Sequence, residues 1–249
     1  MSNSNPATAL VTGASRRLGR TIALDLAQNG WAVGIHYHSS DAEAAALVDE
    51  IGALGGQAVA IQADLDRLEN LPLLIEACAA ALGTPTCLIN NAACFESDSV
   101  GSLDAATWQM HLDINLRAPV FLTQAFARAL PARDTGNVIN LVDQKVWRLN
   151  PHYFSYTIAK SALWTATQTL AQALAPRIRV NAIAPGPVLP SRNQTEAEFA
   201  KEYRGTLLKR VVSTDDVTAA VRFLLDTPSI TGQMIALDAG QHLVWPETS

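Results

Sequence analysis

Tyr156 and Lys160 stand four residues apart in a segment of helical periodicity, so both project from one face. An ammonium beside a phenol lowers the phenol pKa from about 10 toward working pH, which fits the phenol for proton transfer. Asp143 lies upstream, at the end of an apolar run. An ionised carboxylate there cannot donate a hydrogen bond and repels a developing alkoxide. It suits a substrate that presents N–H groups, or a ring nitrogen that must receive a proton. Asn115 falls in the preceding helical segment, and Asn90-Asn91-Ala92 close an earlier apolar run. A Tyr-x-x-x-Lys pair also arises on helix surfaces by accident. Its meaning here comes from this company.

A second constellation opens the chain. The first apolar run leads into Thr12-Gly13-Ala14-Ser15-Arg16-Arg17-Leu18-Gly19-Arg20. Gly13 permits a tight turn and Gly19 close packing of the helix start, whose free N–H groups and dipole favour a pyrophosphate. Arg17 can bond phosphate bidentately, whereas Arg16 and Arg20 are expected on a solvated helix face. Enzymes that use NAD place an acid about 20 residues further on, against the ribose 2′-OH. Residues 31–40 contain none and end His36-Tyr37-His38-Ser39-Ser40. Imidazoles and hydroxyls can donate to a 2′-phosphate, so NADPH is the expected cofactor. A metal site on His36 and His38 lacks a third ligand at suitable spacing, and no metal is expected.

The elements that must position these groups alternate along the chain. Strands are expected at residues 7–11, 31–35, 57–62, 87–90, 137–142, 179–183 and 234–238. Helices are expected at 19–28, 41–54, 68–82, 108–130, 153–175 and 214–225. Residues 185–195, with Pro, Gly, Ser and Asn, are expected to form a mobile loop. Strands separated by helices of this length imply right-handed crossovers. The expected architecture is therefore a single Rossmann-like α/β domain over residues 1–249, a doubly wound parallel sheet of about seven strands with helices on both faces. Ligands of such sheets bind beyond the carboxyl ends of the strands.

Composition narrows the partners. A net charge of -5 argues against general affinity for nucleic acid or an anionic membrane. Cys78, Cys87 and Cys94 are odd in number and lack metal-ligand spacing, which suits a reducing compartment. Cys94 has no paired base in view and is expected to pack. No stretch approaches the ~18 apolar residues of a membrane span, and residues 1–6 show no signal-peptide pattern. A cytoplasmic protein acting on a small molecule is expected.

The first turn resembles the Thr-Gly-x-x-x-Gly-x-Gly loop of short-chain dehydrogenases/reductases, with Arg17 in place of the middle glycine. The order Asn90-Asn91-Ala92, Asn115, Asp143, Tyr156, Lys160, Asn181 and Pro185-Gly186 extends that resemblance over nearly the whole chain. It implies Tyr156 as proton donor, Lys160 on the nicotinamide ribose, and Asn115 supporting a water relay behind Lys160. Asp64 and Leu65 would meet the adenine, Asn91 and Ala92 would line the cofactor, and Gly186 to Val188 would approach the nicotinamide amide. A homotetramer is also implied.

Two glycines of the wider family are alanines here, Ala93 and Ala239. The main departure is Asp143, since most of the family carry serine thirteen residues before the tyrosine. Asp143, Arg17, His36-Tyr37-His38 and Phe95 together resemble pteridine reductases, and the tail Asp238-Ala239-Gly240-Gln241-His242-Leu243 is similar to the bacterial dihydromonapterin reductase branch. In that subgroup an Asp/Tyr pair donates the proton and an aromatic, here Phe95, sandwiches the pterin against nicotinamide; a core role for Phe95 is the alternative. The resemblance implies reduction of a dihydropterin or dihydrofolate by NADPH. An NADP-dependent carbonyl reductase with an unusual Asp143, and a dinucleotide-binding sensor without turnover, are the competing readings.

Overall fold

The computed structural model describes residues 6–191 and 194–245. The polar start at 1–5 and residues 192–193 of the expected loop lie outside them. Seven strands form one parallel sheet in the order β3-β2-β1-β4-β5-β6-β7. In chain order these are β1 Thr8–Val11, β2 Ala32–Tyr37, β3 Ala58–Gln62, β4 Cys87–Asn90, β5 Gly136–Leu141, β6 Ile178–Pro185 and β7 Met234–Leu237. The order reverses between β1 and β4, which opens a crevice at their carboxyl ends.

Alternation along each strand divides two apolar layers. Ala9 and Val11 of β1 and Cys87 and Ile89 of β4 face one side, where α1 (Arg17–Gln28), α2 (Asp41–Ala53) and α8 (Thr214–Asp226) bury Leu26, Leu47 and Val221. Leu10 and Leu88 face the other, against Leu74 of α3 (Asn70–Leu82) and Phe126 of α5 (Ala118–Ala129). Central strands covered on both faces explain the uninterrupted apolar runs of the sequence. Removing Phe126 alone from such a core costs about 3–5 kcal/mol.

Two elements depart from the sequence expectation. The helix expected over 108–130 is three pieces: α4 (Ala105–Leu112), one π-helical turn (Asp113–Arg117), and α5 with Pro119 in its first turn. Asp104 caps α4 by accepting from the backbone N–H groups of Ala106 and Thr107. Beyond the loop expected at 185–195 lies a helix the sequence reading did not include, α7 (Glu196–Arg204), started by a capping box between Thr195 and Glu198. α6 (Phe154–Leu174) follows a short 3₁₀ turn at Gln144–Val146, and another lies at Gln241–Leu243. Among the described residues no helix is long and apolar enough to cross a membrane.

Candidate functional site

The turn after β1 is braced from β4. Thr12 Oγ1 accepts from the backbone N–H groups of Asn91 and Ala92, both at 3.0 Å. The Asn91 amide donates to the carbonyls of Thr12 at 2.8 Å and Gly13 at 3.1 Å. A Cβ on Gly19 would lie 2.3 Å from the Gly13 carbonyl oxygen, so the helix start can approach only as glycine. Arg17 occupies the left-handed region at φ 53°, which suits its place where the family motif has glycine.

This turn, the residues after β2 and the end of β4 line a cavity of about 550 Å³. Gly13, Arg17, Leu18, Gly19, His36, Tyr37, His38, Ser39, Ser40, Asp64, Leu65, Asn91 and Ala92, among the residues expected to meet the dinucleotide, all border it. Neither α1 nor α2 has a side-chain cap at its N-terminus, and α1 carries no acid in its first turn. Uncapped N–H groups opening on a cavity fit a ligand rich in phosphate.

His36 does not act as expected. Its Nδ1 accepts from the Gly13 N–H at 3.0 Å and its Nε2 faces the Ala63 carbonyl at 3.1 Å. Burial pushes its pKa down to about 4. It is a neutral brace beneath the turn, with both ring nitrogens engaged by backbone groups. Arg16 and Arg20 pair with Glu43 and Glu50 of α2, as a solvated helix face should.

The reactive groups meet at the mouth of β5. Asp143 caps the 3₁₀ turn, its Oδ1 accepting from the Lys145 N–H at 2.8 Å, which orients the second oxygen toward α6. The Tyr156 hydroxyl donates to that oxygen, Asp143 Oδ2, at 3.1 Å. Lys160, one turn on, donates to the Leu141 carbonyl at 2.6 Å. Burial raises the Asp143 pKa, while Lys145 and its own hydrogen bonds oppose the shift. The Lys160 ammonium is brought down to about 8 by burial, against the pull of Asp143.

The expected lowering of the Tyr156 pKa by Lys160 is not found. The phenol is pushed well above its ordinary value, first by burial and then by the Asp143 charge and hydrogen bond. Lys160 is directed at the Leu141 carbonyl, and its ammonium lies 5.8 Å from the phenol ring centroid. The nearer carboxylate wins. The arrangement keeps a proton on Tyr156.

Asn115 sits fully buried in the π-helical turn, a local insertion common at functional sites. Its carboxamide holds both backbone groups of one residue, accepting from the Cys94 N–H at 3.0 Å and donating to the Cys94 carbonyl at 2.9 Å. Its side chain therefore fixes the loop after β4.

That loop presents Phe95, 37% exposed at a second cavity of about 490 Å³ bordered also by Arg17, Asp143, Tyr156 and Gly186. The core alternative for Phe95 does not hold. Its ring stacks on Tyr153 at 4.2 Å and 7°, and meets Tyr156 edge-on at 4.7 Å and 79°. Arg17 lies between the two cavities and donates to the Pro190 carbonyl at 2.7 Å, tying the first turn to the segment after β6. A Cβ on Gly186 would come within 2.7 Å of the Asp238 Cα. Val188, by contrast, packs half-buried against the apolar core and borders neither cavity.

Several participants escape sequence reasoning. Tyr153, Gln144 and Gln241 border the second cavity, and the Oε1 atoms of both glutamines are buried without a donor. Beneath them His111, Ser155 and Asp98 form a buried chain. His111 Nε2 accepts from the Glu96 N–H at 3.1 Å, and its Nδ1 lies 2.6 Å from Ser155 Oγ. Ser155 in turn donates to Asp98 through its hydroxyl and backbone N–H, and the Tyr153 N–H donates to the Asp98 carbonyl. Burial holds the His111 pKa below its ordinary value against the attraction of Asp98 and Glu96. This chain ties the loop that carries Phe95 to the start of the helix that carries Tyr156. Three residues from different segments give no local pattern by which to find it.

The chain is similar in sequence and fold to known proteins. A family described as "Enoyl-(Acyl carrier protein) reductase" matches residues 13–242. The structure of FolM alternative dihydrofolate reductase 1 from Brucella canis, complexed with NADP, is 46% identical with a TM-score of 0.94, covering 97% of this chain and 96% of that one. Its counterpart from Brucella suis, also with NADP, is 47% identical with a TM-score of 0.94, covering 96% of each chain. A 3-oxoacyl-[acyl-carrier-protein] reductase from Synechocystis is 33% identical over 237 residues, 93% of this chain and 95% of that protein.

Proposed function

The chain belongs to the short-chain dehydrogenase/reductase family, and from that premise we propose that it reduces a dihydropterin-type substrate with NADPH. It is an NADP-dependent oxidoreductase, in keeping with neighbours crystallised with NADP. The uncapped helix starts, the acid-free stretch ending His38-Ser39-Ser40, and the glycine-bounded turn would hold the dinucleotide. The cofactor would supply hydride.

The observation that carries the pterin reading is the hydrogen bond from Tyr156 to Asp143 beside the exposed face of Phe95. Tyr156 gives its proton to a ring nitrogen of the substrate, and Asp143, once it has itself taken a proton from solvent, as its raised pKa favours, passes that proton to the phenolate. Lys160 supplies positive charge beneath the pair. Phe95 offers a flat apolar face to a fused ring.

The curated 3-oxoacyl reductases favour a carbonyl reductase as the second reading. Against it, Asp143 accepts from Tyr156 where a hydroxyl donor to the carbonyl would be needed. A panel following NADPH absorbance with dihydrofolate, dihydrobiopterin, dihydromonapterin and a 3-oxoacyl thioester separates the two. Turnover of the thioester alone would reject the pterin reading. A cytoplasmic homotetramer belongs to the same proposal.

A further inference from the structure

The segment between β3 and α3 carries Asp64 and Leu65, which border the first cavity. β3 is an edge strand paired only with β2, so this segment has a sheet neighbour on one side alone. Its own hydrogen bonds are local. The Asp64 carboxylate accepts from the Asp66 N–H at 3.0 Å, and the Asp64 carbonyl accepts from the Arg67 N–H at 3.2 Å and the Asn70 amide at 3.1 Å. Leu65 packs into the apolar layer that holds α3 and α5. Among the described residues, the polar contacts that reach residues 64–67 from beyond residue 70 all come from one side chain, Arg117. Its Nη2 donates to the Asp66 carbonyl at 2.5 Å and to Asp66 Oδ1 at 3.1 Å.

Arg117 is the last residue of the π-helical turn, and Asp113, the first, aims it. The guanidinium Nη1 lies 2.7 Å from the buried Asp113 Oδ1, which also accepts from the Gln109 amide at 2.7 Å. The same turn carries Ile114, which borders the first cavity, whereas Arg117 itself borders neither cavity. We propose that Arg117 is a positioning residue for the cofactor: it clamps the segment bearing Asp64 and Leu65 to the π-helical turn and so fixes the adenine end of the first cavity. The inference rests on the dinucleotide lying there with its adenine against Asp64, and it holds whichever substrate the second cavity takes. A guanidinium that bridges Asp113 and Asp66 sets both distance and direction, which a single ammonium cannot. The bond to the Asp66 carbonyl does more than the ion pair, because the Asp66 side chain is 58% exposed and exposed pairs contribute little.

The experiment measures binding of the two halves of the cofactor separately, in the wild type, Arg117→Met and Arg117→Lys. Adenosine 2′,5′-bisphosphate is titrated by calorimetry and reduced nicotinamide mononucleotide by its fluorescence. Arg117→Met should weaken the bisphosphate about fivefold, the scale of one partly exposed charged hydrogen bond, and leave the mononucleotide unchanged. With any substrate the protein reduces, the NADPH KM should rise while kcat is held. Arg117→Lys keeps the charge and one donor, so it should recover only part of the bisphosphate affinity, and it carries the test if the methionine variant does not fold. Unchanged bisphosphate affinity, or equal losses for both halves, overturns the clamp. Full recovery in Arg117→Lys, or a loss that raised salt abolishes, assigns the effect to charge alone and overturns it too. If the wild type binds no bisphosphate, the placement of the dinucleotide fails, and the clamp with it.

Discussion

The two cavities are built differently. The one that would hold the dinucleotide is made mostly of main chain: Thr12, Asn91 and His36 spend their polar atoms bracing the turn after β1. The one that would hold the substrate is made of side chains delivered by distant segments, with Asn115, His111, Ser155 and Asp98 locking the loop after β4 to α6. A backbone cradle needs small residues and fixed turns, so it accepts any protein's copy of one cofactor. A side-chain cavity can be rebuilt by single substitutions, and that is where one reductase of this family can differ from another.

Substitutions that strike one cavity and spare the other can break this division. The largest effect is expected at Tyr156. Tyr156→Phe should lower turnover by roughly 10²-fold or more while NADPH still binds in a fluorescence titration. Equal losses in binding and turnover would mean that the phenol belongs to the cofactor half.

Gly19→Ala strikes the other side. Its new Cβ would sit 2.3 Å from the Gly13 carbonyl oxygen, so the turn must shift. NADPH affinity should fall by about tenfold or more, with a stability cost of roughly 1–3 kcal/mol by thermal melting. Unaltered NADPH affinity would show that the turn does not cradle the cofactor.

Asp98→Asn sharpens the comparison, because Asp98 touches neither cavity. Weakening its bonds to Ser155 should raise the pterin KM several-fold and cost about 1–3 kcal/mol of stability, with NADPH affinity held. A drop in NADPH affinity equal to the rise in KM would dissolve the boundary between the halves.

The smallest effect expected is in pH dependence. Lys160 has its pKa lowered to about 8, so its charge is present below that value and lost as pH rises through it. Asp143 carries its replaceable proton only toward the acid side of its raised pKa. Turnover should therefore decline as pH rises past about 8, and the NADPH dissociation constant should follow the loss of Lys160 alone. A pH-rate profile still rising above pH 9 would contradict both assignments.

The same division governs what the sequence made legible. β1, β4 and the glycine turn announce themselves through unbroken apolar runs and residues that only a tight turn requires. Tyr156 and Lys160 are found because helical spacing is local. His36 was misjudged for a physical reason: an imidazole's use depends on whether its nitrogens face solvent or backbone, and neighbours in sequence do not say. The π-helical turn at Asp113–Arg117 escaped because hydrophobic periodicity barely registers one extra residue per turn. α7 was missed because it directly follows a stretch rich in loop formers, although its own helix-forming residues and the capping box Thr195 to Glu198 were there to be read. The Asp98–Ser155–His111 chain joins three segments and has no local signature at all.

The central claim is that the substrate cavity is made for a pterin by the pairing of Asp143 with Tyr156. Asp143→Ser tests it most directly, with NADPH consumption measured on dihydrobiopterin and on a simple ketone in wild type and variant. The serine hydroxyl can donate to a carbonyl oxygen but cannot replace the proton given up by Tyr156. Pterin turnover should fall sharply while ketone turnover is unharmed or appears, so the ratio of the two collapses. A ratio that Asp143→Ser leaves unchanged would contradict the account.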